Sequence, residues 1–412
     1  MRWCAIGKTS ARLSMSHVSQ TRFSSLREVP ARTTLARAKA WADMAGISRV
    51  TDITRLGPLG VPVFASIRPR SSSTPVTYGK GLLPIDAQVG AYMEAIEFYF
   101  AEPRTGSVIT QWGTPKDISG SDRREDIILD FSPRLRQQAD LNGPLLLAVA
   151  HDVEQGHPCL VPAELVHYPA ADVGQALFGS STNGLASGNS VPEANLHALL
   201  EVIERDIWSF QFIQDTSVPV DSGSLPPVIS EIVARAEWQG SILAVRYVPN
   251  DYGLAFFSAF LFDPENLSTK FFNGGWGCHP NRDIALVRAV CEVAQSRLAF
   301  IHGARDFVSP PFETASQEAE RVRQQANHVL SREPTMSYSQ IPNWHTKSPE
   351  HAWTVVVDCL RRVTNMPIYG VVYTPPEAPL QVVRVIVPSL EDFKEAAMRV
   401  GRRFKARLES YE

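Results

Sequence analysis

The sequence predicts an α+β protein in which long helices are set among mainly antiparallel sheets. Three observations predict it: long segments of helical spacing, strand-like runs in adjacent pairs joined by short turns, and no short-period repeat. TTLARAKAWADMAG has helical spacing and Gly46 as its C-cap. GVPVFASIRP reads as a strand, YGKGLL as a glycine-rich turn and IDAQVGAYMEAIEFYF as a second long helix. LLLAVAHDVEQGHPCLVPAELVHY reads as a strand pair. The helix of Ser187–Asp206 comes next, opened by a turn containing Asn189. ILAVRYVPNDYGLAFFSAFLF is a second strand pair, turning at Asn250–Gly253. DIALVRAVCEVAQSRLAFIHG is a third long helix, and the polar stretch from Pro310 to Glu350 holds a helix over Thr314–Leu330. TVVVDCLRRV, IYGVVYTP and VVRVIVP read as closing strands.

A chain of 412 residues that is 44% hydrophobic can bury a sizeable core. Its net charge of −3 argues against nucleic acid or a membrane surface as the main partner. No apolar run approaches the roughly 20 residues that cross a bilayer. Cys4, Cys159, Cys278, Cys291 and Cys359 form no C-x-x-C pair, so neither a zinc finger nor a disulfide framework is indicated, and a reducing cytoplasm fits. The first 40 residues hold eight Lys or Arg against one acid, Glu28. That composition suits a disordered basic arm or a transit peptide. Residues 1–24 are read as the arm and 25–412 as one domain.

The chemistry lies on three helices. In SGNSVPEANLHALLEVIERD, Glu193, Glu201 and Glu204 fall within roughly 80° of one another, at about 100° per residue. Leu196, Leu199, Val202, Ile203 and Ile207 take the opposite, core-facing side. No lysine interleaves the carboxylates, so the stripe suits hard cations. On the second helix Glu94 and Glu97 share a face, and on the third Arg288, Glu292 and Gln295 do. Such groups suit Mg²⁺ ions and a polyphosphate, because Mg²⁺ takes carboxylate and phosphate oxygens and arginine grips phosphate in pairs. Plainer readings stand beside this. Ser190 and Glu193 have capping-box spacing, Glu94 and Glu97 suit a solvated face, and Arg288 with Glu292 suits an i,i+4 pair. His197 lacks the Glu-x-x-His motifs of a di-iron site. The glycines form no Walker A or dinucleotide fingerprint.

Together these motifs resemble the YcaO-domain family. NGLASGNSVPEANLHALLEVIERD is similar to the family's Asn, Glu, Glu-x-x-Glu-Arg signature. GKGLLPIDAQVGAYMEAIEFY resembles its upstream Glu-x-x-Glu helix, and ALVRAVCEVAQSRLAFIHGARD its Arg-x-x-x-Glu-x-x-Gln helix. The resemblance covers roughly residues 25 to 400. It implies the family's own mixed α+β ATP fold, with ATP and Mg²⁺ as cofactors. Glu94, Glu97, Glu201 and Glu204 would hold the metal. Asn189, Glu193, Arg288 and Glu292 would face the nucleotide, with Arg27 and Thr34 at its N-terminal side and Lys80 and Arg205 in support.

The family's chemistry activates a peptide backbone amide. A nucleophile adds to the carbonyl carbon, the oxyanion is phosphorylated, and phosphate departs. Sulfide as nucleophile gives a thioamide; a neighbouring Cys, Ser or Thr gives an azoline. The segment TTLARAKAWADMAGISRVTDITRLGPLGVPVFASIRP resembles the subgroup encoded with a TfuA partner, some members of which make thioamides. The ending KARLESYE lacks the proline-rich tail frequent in azoline-forming members. The expected function is therefore thioamide formation on a peptide or protein, with azoline formation as the alternative and a TfuA-type protein as partner. The partner set also admits a homodimer. Gly90 stands where many members carry Ser and Phe98 where Arg is common, and these departures motivate a third reading, a nucleotide-binding scaffold or pseudoenzyme.

Overall fold

The computed structural model describes residues 25–103, 108–120, 127–266, 268–303, 314–330, 335–394 and 398–411. The expected basic arm and Cys4 lie outside the described residues. Three antiparallel sheets organise the chain. The first is a meander of β1 (Arg49–Asp52), β2 (Val63–Ile67) and β3 (Val76–Lys80). The second contains β4 (Thr110–Gly113), β5 (Leu145–Asp152), β6 (Pro158–Pro162), β7 (Leu185–Gly188), β12 (Tyr369–Val372) and β13 (Gln381–Ile386). The third runs β11 (Phe272–His279), β10 (Ala255–Phe262), β9 (Ile242–Tyr247), β8 (Val218–Pro219). Every ladder between these strands is antiparallel, as the paired sequence runs predict.

Helices cover the sheets. After α1 (Ala31–Ala40), α2 (Pro84–Ala101) lies on β2 and β3. Helix α3 (Val191–Gln211) packs on β7 and β13. Beyond α4 (Pro227–Trp238), α5 (Arg282–Ile301) lies on β10 and β11. Helices α6 (Ala315–Leu330), α7 (Pro349–Leu360) and α8 (Arg402–Glu409) follow, with α7 against α3. The predicted Thr314–Leu330 helix is α6. As expected, Leu196, Leu199, Val202, Ile203 and Ile207 of α3 are buried.

The same arrangement occurs twice. Three antiparallel strands lead into a helix in β1–β2–β3–α2 and again in β9–β10–β11–α5. Gly79 precedes Glu94 by the same fifteen residues that separate Gly277 from Glu292, and Glu97 and Gln295 are likewise equivalent. In both units a strand glycine lets a helix backbone come close. A Cβ at Gly79 would sit 2.0 Å from Ala87 O and Ala91 N, and one at Gly277 would sit 2.2 Å from Ala285 O. A Cβ at Gly90 would lie 3.1 Å from Gly79 Cα, so a bulkier residue there would crowd this contact.

Several boundaries correct the sequence reading. Tyr78–Lys80 of YGKGLL is strand β3, because its glycine faces a helix rather than turning the chain. TVVVDCL belongs to α7: Ser348 accepts from His351 N as N-cap, Pro349 opens the helix, and buried Ala352, Val356, Cys359 and Leu360 have helical spacing. The first helix ends at Ala40, and turns carry the chain to Gly46 at φ 70°. Ser187 and Gly188 belong to β7, and α3 starts at Val191. Strands β1, β4, β8 and β11 and helices α4 and α8 have no counterpart in the sequence reading. No described helix is long and apolar enough to cross a membrane.

Candidate active site

Helices α2, α3 and α5 and strand β3 enclose a cavity of about 440 Å³. Glu94 and Glu97 from α2, Glu201, Glu204 and Arg205 from α3, Arg288, Glu292 and Gln295 from α5, and Lys80 from β3 all line it. The acids from two helices thus share one cavity, as their spacing predicts. A second cavity of about 260 Å³ shares the wall formed by Glu94, Glu97, Glu201 and Arg288, and extends to Arg27 and His197.

Each acid is held differently. Tyr78 N donates to Glu94 Oε2 (3.0 Å), and Ser187 Oγ to Glu97 Oε1 (2.5 Å). Cys278 N donates to Glu204 Oε2 (2.9 Å). Arg205 Nε approaches Glu201 Oε1 to 4.0 Å, and Lys80 Nζ donates to Glu292 Oε2 (2.8 Å). Glu292 therefore pairs with β3 across the cavity, which replaces the i,i+4 pair with Arg288. Glu94 and Glu97 face the cavity rather than forming a solvated outer face.

Burial costs the ionised acids dearly. It raises Glu97 to about 8, with Glu94 and Glu201 adding to the rise, and it raises Glu201 to about 7 against the pull of Arg205. Burial also raises Glu204, opposed by Arg288. At Glu292 burial acts upward too, but Lys80, Arg205 and Arg288 outweigh it and hold the carboxyl below its ordinary value. His197 and His279 are pushed down to about 3 by burial and by neighbouring arginines, so both stay neutral.

A stability prediction follows. The folded protein keeps protons on Glu97 and Glu201 that the unfolded chain releases near pH 4.5. It therefore binds more protons, and stability falls as pH rises through the folded values. Between pH 7 and 8 the metal-free protein should lose on the order of 1 kcal/mol. Urea unfolding in EDTA checks this; a flat or rising profile contradicts the assignment.

Arg27, Thr34, Asn189 and Glu193 form a separate knot. Asn189 Nδ2 donates to Glu193 Oε1 (3.1 Å), and Asn189 Oδ1 accepts from Arg37 Nη1 (3.0 Å) and Thr34 Oγ1 (3.3 Å). Glu28 N donates to Glu193 Oε2 (3.0 Å), and Arg27 Nη1 stands 3.9 Å from Glu193 Oε1. Of these four, Arg27 lines a cavity wall, while Thr34, Asn189 and Glu193 close on one another behind it. Ser190 Oγ does cap Glu193 N (3.2 Å), but the Glu193 carboxylate turns to Glu28 N, so the capping box is half made. Sequence reasoning missed Arg37 and Ser187. Arg37 stands one helical turn after Thr34, a spacing that places both on one face.

Among the described residues, no three acidic, histidine or cysteine side chains form a ready ligand set for a single ion. Mg²⁺ needs none, since it combines one or two carboxylates with phosphate oxygens and water. The donors fit such a complex. The Nε groups of Arg27, Arg205 and Arg288 are buried without hydrogen-bond partners, and no cationic side chain offsets the burial of Glu97. Fold and cavity together define an α+β protein with a buried acidic and guanidinium site unlike a Walker or dinucleotide cleft.

A family model described as YcaO cyclodehydratase, ATP- and Mg²⁺-binding, matches residues 78–391. A protein of Methanothermobacter thermautotrophicus is 35% identical over 381 residues, which are 90% of this chain and 97% of its own. A protein described as lying in the tfuA 3′ region of Rhizobium leguminosarum bv. trifolii is 31% identical over 372 residues, 87% of each chain. Among solved structures, YcaO from Methanopyrus kandleri bound with AMPPCP and Mg²⁺ has a TM-score of 0.73 at 25% identity, covering 91% of this chain and 95% of that one. A heterocyclase in complex with substrate and cofactor shares the fold, with a TM-score of 0.72 at 20% identity, and 55% of its length is covered. The chain belongs to the YcaO family, whose cofactors are ATP and Mg²⁺.

Proposed function

We propose that this protein is an ATP- and Mg²⁺-dependent enzyme that activates a peptide backbone amide, with a thioamide as product and a TfuA-type protein as partner. The observation that carries the reading is the convergence of Glu94, Glu97, Glu201 and Glu204 with Arg288 on one buried cavity. Bound there, Mg²⁺–ATP supplies the phosphoryl group that turns an amide oxygen, after nucleophilic addition at its carbon, into a leaving group. Glu94, Glu97, Glu201 and Glu204 would hold the metal, and Arg288, Arg205 and Arg27 would take phosphate oxygens through guanidinium forks. Lys80 and Glu292 fix each other, so the cavity keeps its shape. Preorganised charge of this kind stabilises a developing phosphoryl anion without reorganisation. The tfuA-region relative favours sulfide as the nucleophile.

Azoline formation is the second reading, favoured by the cyclodehydratase description of the family. Incubation of the protein with ATP, Mg²⁺, sulfide, a TfuA-type protein and a precursor peptide encoded nearby separates the two. Mass gain from sulfur replacing oxygen supports the thioamide, and loss of water supports the azoline. Nucleotide binding without any turnover in that mixture would leave a scaffold role.

A further inference from the structure

Two chemically distinct sets of residues line the larger cavity. One is the charged cluster. The other is built from Thr74, Val76, Thr77, Phe98, Tyr168 and Thr182, none of which carries charge. Phe98 packs on Tyr168 with ring centroids 5.3 Å apart, giving this set an aromatic wall. Phe98 directly follows Glu97 in α2, so the wall begins beside the carboxylates. Thr77 is 3% exposed, lines the cavity, and its Oγ1 has no hydrogen-bond partner. A buried hydroxyl left so is costly unless a ligand supplies a partner. Strand β3, which contributes Val76 and Thr77, has one strand neighbour among the described residues, β2. The smaller cavity shares Glu94, Glu97 and Glu201 with it and carries Arg27 and His197 instead.

We infer that the uncharged set forms the peptide subsite: an extended substrate segment lies along β3, contacts the Thr77 hydroxyl, and places an apolar or aromatic side chain beside the reacting amide against Phe98 and Tyr168. This rests on the amide-activating reading above. Two chambers meeting at one set of carboxylates are what transfer between two substrates requires, one chamber for each. The nucleoside then belongs to the Arg27 and His197 side. The peptide chamber rejects charge for a simple reason: an ion moved there loses water and gains no partner of opposite sign on that wall. Phe98 is the specificity determinant, since it sets the polarity of the wall next to Glu97.

The test uses the full chain with Mg²⁺ and AMPPCP, titrated with four blocked glycine pentapeptides carrying a central Phe, Leu, Asp or Lys. Calorimetry and line broadening of the peptide resonances report binding. The Phe and Leu peptides should bind about tenfold more tightly than the charged two, the return expected from burying one apolar side chain. Phe98→Arg should reverse the preference toward the Asp peptide with AMPPCP affinity unchanged. Thr182→Lys, at a half-buried position, should shift it the same way and covers a folding failure of Phe98→Arg. Equal affinities, no binding of any peptide, or a preference unmoved by both variants overturns the subsite. Lost AMPPCP affinity in Phe98→Arg would give the chamber to the nucleobase and also overturns it. Failure of AMPPCP to bind the native protein at all would instead refute the amide-activating reading.

Discussion

The Glu97→Gln, Glu201→Gln double variant is expected to be more stable than the native protein in EDTA and to hydrolyse no measurable ATP. Both effects have one cause. These carboxyls are walled in by protein, what exposure they keep is toward the cavity, and burial raises them to about 8 and about 7. At pH 8 the metal-free protein must therefore hold negative charge where it is poorly solvated. Glutamine has nearly the same shape and no charge, and the variant should gain on the order of 2 kcal/mol. Glu97→Gln can still meet Ser187, since its amide oxygen accepts as the carboxylate did. Turnover should fall by at least roughly 10³-fold, because the metal loses two of its proposed ligands. Mg²⁺–ATP then reverses the order of stability. A ligand that binds the folded state stabilises it by mass action, and only the native protein gains that. Thermal unfolding of both proteins, with EDTA and with Mg²⁺–ATP, reads all of this in one experiment. A variant less stable than native in EDTA, or one stabilised equally by Mg²⁺–ATP, would remove these two acids from the metal site.

The exchange of stability for function also explains what the sequence could reveal. The stripe of Glu193, Glu201 and Glu204 was legible because helical periodicity places residues on faces without tertiary information. Its lack of lysines marked it as other than a solvated surface. Periodicity does not say which helices meet. That Glu94 and Glu97 lie across a cavity from Glu201 and Glu204 follows from β3 and β7, and the Tyr78–Lys80 part of β3 reads as a turn because the glycines of YGKGLL look like turn residues. The same bias hid β11, where FNGGWGCH has a broken strand pattern. TVVVDCL misled in the opposite direction: its β-branched run outweighed the Ser348–Pro349 start signal, and packing on α3 overrides such propensity. Glu193 shows a further limit. It lies on the acidic stripe by angle, yet Glu28 N, Asn189 and Arg27 claim its carboxylate, contacts more than 150 residues apart for Glu28 and Arg27.

Gly277→Ala is expected to be among the most damaging single-methyl changes at the site, although residue 277 carries no chemistry. The added Cβ would stand 2.2 Å from Ala285 O and 2.8 Å from Ala289 N, both backbone atoms of α5. No rotamer change relieves a clash with backbone, so α5 must move as a body or β11 must bend. The cost is about 3 kcal/mol, the upper part of the range for overpacked cores. A moved α5 displaces Arg288, Glu292 and Gln295 together, so nucleotide affinity should fall along with the unfolding midpoint. Gly79→Ala should do the same through α2, displacing Glu94 and Glu97, because the two units share one construction. Gly223→Ala is the control: its Cβ would meet Asp221 at 3.5 Å, ordinary contact, and stability should stay within about 0.5 kcal/mol. Urea unfolding and AMPPCP titration of the three variants decide the matter. If Gly277→Ala kept native stability and affinity, the close strand–helix contact would not be what holds the α5 groups in register with the carboxylates of α2 and α3.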